Sequence, residues 1–137
     1  GRKIADEPAP PATGTAQSPI STTVTVGAPG AGQRVVGVTS SAFEFDVPTG
    51  ADDAAMVAQA TPLLPADLDL YLQRQLAGGA WSGDLASGTS GSLTDEVLES
   101  GRLEAGRYRI EVHNWAGAPG TAGLQLTFFN SAGAPGQ

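Results

Sequence analysis

The chain has 137 residues, 40% of them hydrophobic, a length that fits one domain with a core of its own and not two. A net charge of −7 argues against nucleic acid as a partner, since that binding neutralises phosphates with Lys and Arg, and it suits cations instead. The lack of cysteine excludes disulfides and thiolate metal sites, and no apolar run approaches the roughly 20 residues that span a bilayer. Nineteen glycines, ten prolines and only 15% charged residues favour short strands and tight turns over long helices.

Residues 1–19, "GRKIADEPAPPATGTAQSP", carry Pro and small polar residues with little apolar content, the composition of a flexible linker. The first residue is neither an initiator Met nor part of a signal-peptide pattern, so the chain is expected to be a mature or excised piece of something longer. Structure is expected from Ile20. In "ISTTVTV", Ile20, Thr22, Val24 and Val26 share one face and Ser21, Thr23 and Thr25 the other, a period of two rich in β-branched residues. "GAPGAGQ" then breaks the strand. Its glycines look superficially like a phosphate loop, but no Lys-Ser/Thr follows, and a turn is the expectation.

"AFEFDVPTG" alternates again, with Phe43, Phe45 and Val47 inward and a stop at Pro48-Thr49-Gly50. "AAMVAQA" at 54–60 mixes helix-favouring Ala and Met with a strand's length and flanking breakers, and its context favours a strand. "DLDLYLQ" turns Leu68, Leu70 and Leu72 inward. "GRYRIEVHNW" turns Tyr108, Ile110 and Val112 inward, with Arg107, Arg109, Glu111 and His113 outward, and "GLQLTFFN" places Leu124, Leu126 and Phe128 on one face. Between them, "SLTDEVLESGRLEAG" at 92–106 holds Ser92 three before Asp95, a helix-cap spacing. A short strand at Glu96 to Leu98 with a turn at "EAG" is the preferred reading. Short turn-separated strands without alternating helices predict an all-β fold: an antiparallel β-sandwich of about seven to nine strands over residues 20–131, with 132–137 as a tail.

"PADLDLYLQ", the Gly/Ser-rich "SGTSGSLTDEVLESGRL", "EAGRYRIEVHNWAG" and "GLQLTFF" together resemble, in order, the bacterial pre-peptidase C-terminal domain. "VTVGAP" and "AFEFDVPTG" fit that family's opening strands, so the resemblance covers about residues 22–130. It implies a jelly-roll-like sandwich attached to secreted, extracellular hydrolases, most often subtilisin-type serine peptidases and metallopeptidases, and itself without catalysis. Its partner would be the catalytic domain of the same polypeptide. Relatives bind calcium, and those of clostridial collagenases bind collagen. The collagen binders carry calcium-ligating acids leading into the first strand, whereas here no Asp or Glu occurs from Pro8 to Phe43, so collagen binding loses its main support.

The residues themselves point to few catalytic arrangements. His113 is the only histidine, and no Gly-x-Ser-x-Gly elbow is present. Asp67 and Asp69 fall on one strand face, roughly 7 Å apart between Cα atoms. A glycosidase pair is conceivable at that distance, but calcium is the sharper expectation, since that cation takes six to eight oxygens from carboxylates, carbonyls and water. Asp95 and Glu96 are the natural further ligands. A solvated outer strand face, or an Asp67 that accepts backbone N–H bonds at the Pro65-Ala66 turn, competes with the metal site. Asp52 and Asp53 form another acid pair on a loop, with a turn as the plain alternative.

Tyr71 shares the acid-bearing face, and Trp81 and Trp115 stand beside glycine-rich turns, "AGGAWSG" and "HNWAGAPG". Each indole is expected at the edge of a small core rather than in binding, yet exposed rings there would stack on a sugar or pack on a peptide. Two functions therefore stand: an accessory module of a secreted peptidase, and a module that binds an extracellular polysaccharide or fibrous protein through Tyr71, Trp81 and Trp115.

Overall fold

The computed structural model describes residues 19–48 and 55–129. The expected linker and tail, and Asp52 and Asp53, lie outside the described residues, apart from Pro19 of the linker. Eight strands form among the described residues: β1 (Ile20–Val26), β2 (Ser40–Val47), β3 (Ala55–Pro62), β4 (Ala66–Arg74), β5 (Ala86–Gly88), β6 (Glu96–Glu99), β7 (Gly106–Gly117) and β8 (Gly120–Phe129). The described part of the 54–60 segment, from Ala55, and the segment at Glu96 are strands, as expected. β5 was not anticipated, because "LASG" has no alternation to announce it; its three residues become a strand only by pairing with Leu70–Leu72 of β4.

The strands form two four-stranded sheets, ordered β1-β8-β3-β6 and β2-β7-β4-β5, and every pairing between named strands is antiparallel. The chain crosses from one sheet to the other between β1 and β2, β2 and β3, β3 and β4, β5 and β6, β6 and β7, and β7 and β8, which is the winding of a jelly roll. Period-two alternation supplies the core. Leu68, Leu70 and Leu72 from β4, Tyr108, Ile110 and Val112 from β7, and Leu124, Leu126 and Phe128 from β8 are all buried. Phe45 of β2 joins the layers: it stacks on Tyr108 and meets Phe128 edge-on, both at 5.8 Å between ring centroids. Phe43, expected in the core, is only partly buried and packs against its margin.

The outer face of the second sheet departs most from a simple sandwich. Polar side chains alternate outward along β4 and β7, yet Asp69, Gln73, Glu111 and His113 are buried. The β1–β2 loop, residues 27–39, lies over this face at Glu111, Tyr71 and Asn114. Gly30 N–H donates to the Asn114 carbonyl and Asn114 N–H to the Thr39 carbonyl, while the Asn114 side chain donates to the Gly27 carbonyl. The "GAPGAGQ" turn is thus the start of a loop fixed to the end of β7.

Candidate functional site

Asp67 and Asp69 lie on β4, and Glu96 opens β6 in the opposite sheet. β5 pairs with β4 only at Leu70–Leu72, so the β4 edge at 66–69 is left to the chain that follows; Ala66 N–H donates to the Leu93 carbonyl there. That crossing delivers Glu96 to the two aspartates. One carboxylate oxygen of each of the three residues lies within 4.8 Å of the others. Two oxygens on opposite sides of one calcium are separated by twice its 2.3–2.6 Å bond, or about 4.6–5.2 Å, so all three reach a single ion.

Two observations show that this donor set fits a hard cation. Oδ1 of Asp67 is buried and has no hydrogen-bond partner among the described residues. The Asp69 carboxyl is held above its usual range, first by burial and then by the charge of Asp67, with Glu96 adding to it and His113 and the Tyr71 hydroxyl opposing. Three carboxylates in one partly dry site repel one another, and only oxygen ligands are offered, which selects hard cations over thiophilic ones. Glu96 is oriented by Ser90, whose N–H and hydroxyl donate to it at 3.2 and 2.9 Å. Asp95 is not part of the group. It precedes the first residue of β6, is exposed, and accepts a 2.8 Å hydrogen bond from Gln59.

Beside this cluster runs a polar network under the β1–β2 loop. Arg34 makes two 2.8 Å hydrogen bonds to Asp84 and two to Glu111, at 2.8 and 3.4 Å, and its guanidinium sits 3.4 Å from the Tyr71 ring centroid. Gln73 donates to Asp84 and Glu111, and Ser40 donates to Glu111 at 2.7 Å. Ser40 also lies 3.1 Å from Nδ1 of His113. With its one proton committed to Glu111, Ser40 accepts from that nitrogen, the reverse of the hydroxyl-to-imidazole bond that activates a nucleophile. Both residues are buried.

Of the three aromatic residues singled out in the sequence, Tyr71 has Arg34 on its ring, and Trp81 is half-buried with Arg109 over its ring at 4.6 Å. Trp115 is exposed. It is the extra residue of a bulge, because Asp67 pairs with Ala116 and Leu68 with Asn114. Sequence reasoning missed Arg34, Asp84 and Gln73. Their contacts join a loop, a second loop and a strand, which no local pattern brings together.

Solved structures share this architecture. The pre-peptidase C-terminal domain of a collagenase from Bacillus anthracis superposes with a TM-score of 0.51 at 13% identity, over 79% of this chain and 88% of that one. The chain has the fold of a pre-peptidase C-terminal domain. The mitogen of Yersinia pseudotuberculosis also superposes with a TM-score of 0.51, at 14% identity, over 80% of this chain and 85% of that one. No protein-family model and no curated protein matches the sequence. Among the described residues, no helix is long and apolar enough to cross a membrane.

Proposed function

We propose that the chain is a non-catalytic accessory domain of a secreted bacterial hydrolase, a subtilisin-like serine peptidase, and that it aids folding, stability or placement on substrate. Calcium is the stabilising cofactor, held by Asp67, Asp69 and Glu96. The observation that carries this reading is the meeting of those three carboxylates from opposite sheets in a fold shared with a collagenase's accessory domain. A bound ion would neutralise their repulsion and tie β4 to β6. The test of the accessory role is the whole polypeptide encoded by the gene. A peptidase that loses stability or activity on substrate when residues 20–131 are deleted supports it, and a reading frame that encodes no hydrolase overturns it.

A second reading, an extracellular polymer-binding module, is favoured by one observation: Trp81 lines an open cleft of about 450 Å³. Retention on insoluble chitin, cellulose, collagen or keratin supports it, and failure to be retained on any of them removes it.

A further inference from the structure

The cleft beside Trp81 contains an arginine whose binding capacity the protein orients but does not use. On the second sheet, Arg74 pairs with Glu104 and Arg107 with Glu44 and Asp46, each at 3.0 Å or less. Arg109, on the same strand as Arg107, closes no ion pair among the described residues, although Glu111 and Asp84 line the same cleft. Those two acids are taken by Arg34 and Gln73.

Arg109 is nevertheless held in place. Its Nε–H donates to Oε1 of Gln73 at 2.6 Å, and Gln73 is itself buried and fixed through its amide nitrogen to Asp84 and Glu111. The guanidinium lies over the Trp81 ring. A guanidinium has five N–H donors; one is spent on Gln73, and the other four have no protein acceptor among the described residues. The Trp81 ring lies on one side of the group, and its Nη edge has no protein acceptor among the described residues, the edge that takes a carboxylate with two parallel hydrogen bonds.

The geometry points to this cleft as a receptor for a single peptide carboxylate, either a chain's C-terminal carboxylate or an Asp or Glu side chain. The net charge of −7 disfavours polyanions at long range, so the ligand is an isolated carboxylate on an otherwise uncharged segment. The exposed Val36, also on the wall of the cleft, offers that segment an apolar contact. The site is separate from the acid cluster and does not depend on calcium or on a peptidase parent.

The test is a titration of the full chain followed by NMR at the Arg109 Nε–H and Trp81 indole N–H, using three peptides of one neutral sequence. One has a free C-terminus, one is amidated with a single internal Glu, and one is amidated with Gln in its place. Saturable shifts at both probes with the first or second peptide, and none with the third, are expected, and whichever peptide acts identifies the carboxylate's source. Arg109→Lys keeps the charge but loses the fork, and should weaken binding about tenfold or more. Equal shifts with the amidated Gln peptide, no shift with any peptide, or undiminished binding by Arg109→Lys would overturn the assignment. Should that variant not fold, the native titration still decides: shifts centred away from Arg109 and Trp81 refute the site.

Discussion

Arg34, on the loop before β2, reaches 2.8 Å from Glu111 in the middle of β7, 77 residues further along the chain. Glu111 is nearly inaccessible and Arg34 about one-third exposed, so the loop supplies the counter-charge of a buried carboxylate. Removing one partner of such a pair strands the other. Arg34→Ala should cost about 2 to 3 kcal/mol, short of the full penalty because Glu111 keeps its bonds from Gln73 and Ser40. Urea unfolding at neutral pH measures it. A loss below half a kcal/mol would mean that the loop does not hold this face.

Acid should dismantle the same network. Asp84 is held below the usual carboxylate range, chiefly by the hydrogen bond from Arg34. For Glu111, burial acts to raise the carboxyl, but hydrogen bonds from Arg34, Gln73 and Ser40 outweigh it and the net direction is down. Both groups are therefore stronger acids folded than unfolded. Their contribution is complete at neutral pH and disappears as pH falls below the ordinary carboxylate range. Asp69 has the opposite sign: its raised carboxyl costs stability while ionised, and that cost is relieved as pH drops through its folded value. Without calcium, the urea midpoint should rise slightly on mild acidification and then fall. Asp69→Asn should abolish the rise and leave the fall.

Calcium should raise the melting temperature, since an ion that binds only the folded state stabilises it by mass action. Chelation should lower the melting point without unfolding the domain, whose apolar layers are complete on their own. The increment should disappear in Asp67→Asn/Asp69→Asn and in Glu96→Gln, and should persist in Asp95→Asn, whose carboxylate is turned to Gln59. It should also vanish at low pH, because ligation needs ionised carboxylates. Equal melting points with calcium and with chelator in the native chain would leave these residues without a metal.

Leu70 is fully buried between the sheets, and Leu70→Ala should cost about 2 to 5 kcal/mol from lost transfer energy and the cavity left behind. Chemical denaturation checks the figure.

Two glycines should respond oppositely to alanine. A Cβ on Gly88 of β5 would come within 2.1 Å of the Val97 carbonyl oxygen, where β5 meets β6 across the edge of the sandwich. Gly88→Ala should destabilise by about 1 to 3 kcal/mol, as overpacking does. On Gly123, in the middle of β8, a Cβ would meet nothing closer than 4.0 Å, and its backbone is not left-handed. Gly123→Ala should stabilise by about 0.5 to 1 kcal/mol by reducing the freedom of the unfolded chain. Paired thermal melts distinguish the two.

Seven of the eight strands, in their order along the chain, and the core-facing side of β4, β7 and β8 were determined by the sequence alone, whereas β5 exists only through its pairing with β4. Leu68, Leu70 and Leu72, or Leu124, Leu126 and Phe128, alternate with polar residues, and alternation is a local property of an extended backbone that needs no knowledge of neighbours. The shared face of Asp67 and Asp69 was legible for the same reason. Only the tertiary structure decided that Glu96 joins them while Asp95 turns to Gln59, because that choice depends on how the segment after β5 crosses the edge of β4. It also decided that Glu111, His113 and Gln73, outward by alternation, are buried. The loop at 27–39, which carries no periodic signal, meets this face at Glu111. Its position is set by hydrogen bonds to Asn114 and by the ion pair from Arg34, contacts between residues 75 or more apart in the chain.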